Sequence, residues 1–188
     1  MSGGEYSGTL TVNKGVRMPT SSKPGFHHVA YACRDIDATH QFYEELMGFE
    51  LVHTEVVEFE EGGFFRHTFY DTGDGSCLAF FDLHGVGEKQ DWDSAISTGN
   101  GLPVWVNHVA FSATEEKQNE VKERMELAGV KPLMEVDHGW CHSLYYVDPN
   151  GIMVEFCRDT PGIEPDYEKA KSLLHATGNH TDKKTFVS

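Results

Sequence analysis

Residues 28–30, His-Val-Ala, return at 108–110, and the pattern downstream of them returns as well. In the first copy "HHVAYACRDIDATHQFYEELMGFELV" reads as a short apolar strand and a helix stopped by Gly48, then another strand. Asp35 stands as N-cap, and Ile36, His40, Tyr43 and Met47 share one helical face. In the second copy "NHVAFSATEEKQNEVKERMELAGVKPL" repeats the pattern, with Ser112 and Glu115 as capping signal and Gly129 as stop. Three β-rich stretches follow each helix, at 49–57, 63–72 and 76–83, then at 131–137, 141–147 and 151–157. Asp148-Pro149-Asn150-Gly151 is a turn sequence, and "DTGDGS" is its counterpart in the first copy. A tandem repeat is a strong constraint, because each copy makes a curved sheet whose apolar face needs the other copy.

The expected architecture is α+β, two tandem βαβββ modules at 26–84 and 104–158 that form a cup-shaped mixed β-sheet. A polar linker, 85–103, joins them; an irregular arm, 1–25, precedes them, and 159–188 supplies a helix at Glu164–Leu174 and a tail. The formal charge of −15 argues against nucleic acid or an anionic membrane as partner, since both need clustered Lys and Arg. No apolar run reaches the ~18 residues of a membrane span. With no hydrophobic signal core and four scattered cysteines, the expected location is cytoplasmic with reduced thiols.

Eleven histidines direct attention to metal chemistry. If the modules are related by a pseudo-two-fold axis, His28 and His108 occupy equivalent places on the first strands. Tyr70 precedes Ala79 by the nine positions that separate Tyr146 from Glu155. Four symmetric slots then hold His28, Ala79, His108 and Glu155. Two imidazoles and a carboxylate suit Fe(II), Mn(II), Ni(II) or Zn(II) and leave positions open for substrate. A single strand histidine is more often a locally hydrogen-bonded residue than a ligand. Two at equivalent positions, with a carboxylate inside the apolar "GIMVEFC", are harder to dismiss. Strand alternation should turn His27 to the opposite face from His28.

These residues resemble the vicinal oxygen chelate superfamily, the glyoxalase, bleomycin resistance and extradiol dioxygenase group, over about 26–158. Its paired βαβββ modules build a metal cup. The run from Val136 resembles the extradiol ring-cleavage signature: His138, five residues, Leu144-Tyr145, two residues, Asp148-Pro149-Asn150-Gly151, three residues, Glu155. The resemblance implies that His28, His108 and Glu155 ligate the metal, with Tyr145 and His138 as the acid–base pair. It further implies Fe(II), with Mn(II), Ni(II) or Zn(II) as substitutes, a catechol-like aromatic diol and O2 as reactants, and a homodimer.

One departure stands out. Ring-cleaving enzymes keep a further histidine where this chain has Ser76; His67 and His84 are the candidates to replace it. Two other readings fit the scaffold. A glyoxalase- or epimerase-like lyase or isomerase normally keeps a carboxylate in the slot of Ala79. A drug-sequestering resistance protein would use aromatic residues and no metal. Elsewhere "EVVEFEEGG" reads as a solvated hairpin edge, and Trp105 and Trp140 as either cavity mouth or core. His175 and His180 read as tail residues without a metal role.

Overall fold

The computed structural model describes residues 25–177; most of the arm, and His180 in the tail, lie outside the described residues. The first module contains β1 (His28–Cys33), β2 (Glu50–Glu58), β3 (Phe64–Asp71) and β4 (Cys77–His84). Between β1 and β2 runs α1 (Ile36–His40), which continues as a π-helix over Gln41–Leu46. The second module contains β5 (His108–Ser112), α2 (Glu115–Leu127), β6 (Met134–Asp137), β7 (Cys141–Val147) and β8 (Met153–Asp159). Strand order is β1-β4-β3-β2 in one sheet and β5-β8-β7-β6 in the other. The first and last strands of each module run parallel, and the remaining pairs are antiparallel. This is the expected α+β fold of tandem βαβββ modules. A last helix, α3 (Tyr167–Leu173), buries no residue.

Local chemistry explains the helix starts. Asp35 caps α1 by accepting from Ala38 N at 2.9 Å. For α2 the expected cap is Ser112, but the structure uses Thr114, whose hydroxyl accepts from Lys117 N. Ser112 still belongs to β5, so its backbone is committed to the sheet ladder. The π-turn hydrogen bond from Met47 N to Phe42 O widens the helix. Phe42, Tyr43 and Met47 all become buried there.

The helix-bearing faces of both sheets merge into one core. Leu78 and Phe80 of β4, Val154 and Phe156 of β8, Tyr43 and Met47, and Val121 and Met125 of α2 all belong to it. Alternation puts Ala79 and Glu155 on the other faces of their sheets. The docking of the modules is also polar. Tyr43 Oη donates to Asp148 Oδ2 at 2.9 Å, and Asn150 Nδ2 donates to Thr39 Oγ1 at 3.1 Å. Arg34 N donates to Asn150 Oδ1 at 3.1 Å. The Asp148–Gly151 turn therefore clasps the start of the first helix. Gly151 has φ of 75°, and a Cβ there would lie 2.6 Å from Ala95 Cβ, so the linker packs directly on the turn.

Candidate metal centre

Strand pairing brings His108 and Glu155 together. β5 and β8 run parallel with Ala110 opposite Glu155. The first sheet repeats this with Ala30 opposite Ala79. The equivalence of Ala79 and Glu155 is thus written into the register. His108 Nε2 lies 3.2 Å from Glu155 Oε2. On the far side of the ring, His108 Nδ1 is 2.9 Å from the Trp105 carbonyl. A carbonyl only accepts, so Nδ1 carries a proton and Nε2 is the ring atom that faces the carboxylate. With Nδ1 so committed, Nε2 and the carboxylate can share a proton or a cation between them. Ser143 Oγ holds the other carboxylate oxygen, donating to Oε1 at 2.5 Å. Glu155 is only 5 % exposed, so its charge has little help from solvent.

Beside this pair stand the two expected acid–base residues. Tyr145 lies directly across from Glu155 in the β7–β8 ladder, and its Oη is 3.0 Å from His138 Nε2. Burial pushes the Tyr145 phenol up to about 12, and the Glu155 carboxylate adds to the rise. At neutral pH Tyr145 is therefore protonated and a donor. Cys141 and Ser143 share its face of β7, and neither was singled out in the sequence. Period-two alternation from Tyr145 was the signal that could have found them.

His28 is placed differently. It lies on the inner face of the first sheet, its ring against Phe69 (centroids 5.5 Å) and His67 (6.4 Å). These contacts are in its own module, and the chain does not bring it against His108 and Glu155. The expectation that His27 faces away also fails: its Nδ1 is 2.7 Å from that of His28. His27 precedes β1, so the alternation of the strand does not govern it.

Of the candidates to replace the absent histidine, His67 shares the His28 face and its Nδ1 is 3.1 Å from Glu55 Oε1. Burial lowers its pKa despite that carboxylate. His84 instead stacks on Phe64 and contacts Asp82. Ser76 is bound within its turn, donating to Asp74 Oδ1 at 2.5 Å. Trp105 and Trp140 are both more than half exposed, and Trp140 lies near the His138 ring (centroids 6.1 Å), so neither is core. His175 is exposed in the segment after α3. Among the described residues no helix is long and apolar enough to cross a membrane.

Paired βαβββ modules with imidazole and carboxylate groups on their first and last strands define a class of cup-forming, metal-dependent proteins. The model of the Glyoxalase/Bleomycin resistance protein/Dioxygenase superfamily matches residues 25–156, and the chain belongs to that superfamily. It is 28% identical over 135 residues to "Glyoxylase I 4" of Arabidopsis thaliana, covering 70% of this chain and 68% of that protein. Metallothiol transferase FosB of Lysinibacillus sphaericus is 22% identical over 156 residues, 82% of this chain and 96% of that one. Neither is named as a dioxygenase. In fold the chain is similar to a glyoxylase/bleomycin resistance protein/dioxygenase domain from Frankia sp. EAN1pec (TM-score 0.54, 20% identity, 76% of this chain and 96% of that one). It is also similar to the fosfomycin resistance protein FosX from Listeria monocytogenes (TM-score 0.50, 18% identity, 74% and 96%).

Proposed function

We propose that the protein is a metal-dependent enzyme of glyoxalase or fosfomycin-resistance type. Its substrate is a small molecule presenting adjacent oxygens, and its chemistry is proton transfer next to a carbonyl or addition of a thiol. The observation that carries this reading is the convergence of His108 Nε2 and Glu155 Oε2, 3.2 Å apart with Nδ1 already committed. The two named relatives, a glyoxylase and a thiol transferase, favour this chemistry over ring cleavage. His28 completes the ligand set from a second copy, the inner face of its first sheet closing over the second sheet of its partner. A homodimer is therefore part of the reading.

A divalent ion at this centre would polarise a substrate oxygen and acidify the neighbouring C–H or thiol. The residues divide the remaining work. Trp105 fixes the His108 tautomer and Ser143 fixes the Glu155 rotamer, so both ligands are oriented in advance. Ala79 leaves the symmetric slot without a carboxylate base. Proton transfer then falls to His138, with Tyr145 donating to it or to a developing oxyanion. Tyr145→Phe is expected to lower turnover by roughly 10²–10⁴-fold while metal content stays unchanged. Loss of metal along with activity would show that the phenol is structural. All four cysteines are unpaired, which fits a reducing compartment such as the cytoplasm.

Cleavage of a catechol-like diol with Fe(II) and O2 is the second reading. The His138–Tyr145 hydrogen bond matches the signature that suggested it, but Ser76 is held in its turn. Metal analysis of protein purified without chelators tests both, together with assays of methylglyoxal–thiol adducts, epoxide opening by thiols, and oxygen uptake on catechols. Oxygen consumption dependent on Fe(II) would replace the first reading with the second. Protein without any divalent ion would remove both.

A further inference from the structure

Glu155 has a second set of neighbours besides His108. The β6–β7 hairpin turns through Gly139, φ 83°, and closes with His138 N donating to the Cys141 carbonyl at 2.9 Å. That turn folds His138 back over Cys141, a His-x-x-Cys spacing of the kind that chelates metals. β7 sends the Cys141 side chain to the face of Glu155, where it is fully buried. One ligand atom each from His138, Cys141 and Glu155 lies within 4.8 Å of the other two. Ligand atoms held about 2.0–2.3 Å from one tetrahedral ion are roughly 3.3–3.8 Å apart, so the three atoms must draw together by at most about 1.5 Å to share an ion.

We propose that His138, Cys141 and Glu155 form a thiolate-containing site for a borderline divalent ion, Zn(II) or Co(II), complete within the second module of a single chain. The inference deepens the proposed metal centre, with which it shares Glu155, but needs neither His28 nor a second copy. Coordination breaks the Cys141 S–H bond, forms the S–metal bond and releases one proton to solvent, with no change in oxidation state. Sulfur makes the site favour zinc and cobalt over magnesium or manganese. The same ion would draw His138 out of its hydrogen bond with Tyr145, so occupancy of this site and acid–base work by His138 exclude each other.

Reconstitution of the reduced, metal-free full-length protein with Co(II) tests the assignment by absorption. A sulfur-to-cobalt charge-transfer band in the near ultraviolet is expected, retained in His28→Ala, His108→Ala and Cys157→Ala but lost in Cys141→Ser. X-ray absorption on the zinc-loaded wild-type protein, which needs no variant to fold, should show sulfur at about 2.3 Å. Cobalt that binds with weak ligand-field bands only, and zinc without a sulfur shell, would overturn this site and leave the His108–Glu155 centre intact. A band lost in His108→Ala would assign the thiolate to the catalytic centre and overturn the separate site. Absence of any binding would defeat both proposals.

Discussion

Glu155→Gln is expected to strip the protein of its divalent ion. The carboxylate is buried and faces His108 Nε2 at 3.2 Å. The hydroxyl of Ser143 holds only its other oxygen. Glutamine keeps an acceptor for Ser143 but puts a neutral amide where the anionic ligand stood. Metal affinity should fall by more than ~100-fold, because loss of an outer-sphere partner alone typically costs 10–100-fold. Metal content after gel filtration measures this. If Glu155→Gln keeps its metal, Glu155 is removed from the centre.

The largest stability effect is expected away from the centre, at Asp148. This carboxylate accepts from Tyr43 Oη, Asn150 N, Asn150 Nδ2 and Ile152 N, at 2.7–3.0 Å. Asp148→Ala leaves those donors buried and unsatisfied, and the cost should be about 3–4 kcal/mol in a urea titration. The helix start and the turn it clasps belong to different modules, so the unfolding of both should shift together. Two separate transitions, with only the second module weakened, would contradict the clasp.

Asp148 also carries a pH signature. Burial raises its pKa, against the hydrogen bonds from Ile152, Asn150 and Tyr43 that lower it. A carboxyl raised on folding adds stability that is complete below its unfolded value, near ~3.9, and is lost as pH rises through the folded value. Relative to the wild type, Asp148→Asn should therefore gain stability as pH increases from about 4 to neutrality. Urea midpoints at several pH values measure this, and a difference that shrinks with rising pH would reverse the sign.

The modules and their equivalences could be read from the chain because they rest on local periodicity. Tyr70 to Ala79 and Tyr146 to Glu155 have the same spacing, and two hairpins of equal length place both last residues opposite an alanine of the first strand. The match of His108 to Glu155 followed from that register. Ser112 was a poorer guide than Thr114, since two hydroxyls in "FSAT" compete and only the end of the strand ladder decides between them. The extradiol signature gave correct neighbours, His138 beside Tyr145 beside Glu155, without thereby identifying the reaction. Its Asp-Pro-Asn-Gly portion serves mainly to join the modules.

By itself, then, the sequence determined the repeat, the strands and helix of each module, and the equivalence of His28 with His108 and of Ala79 with Glu155. These depend on alternation and turn chemistry, which act over a few residues. Only the tertiary structure decided how the two sheets meet. Their helix-bearing faces share one core through Phe49, Phe111 and Phe156, whose rings lie 4.8–6.3 Å apart. That packing joins side chains far apart in the chain, Phe49 to Phe111 and Phe156, through a fit that no local pattern encodes. It is what sets the place of the sheet that carries His28 relative to the sheet that carries His108 and Glu155.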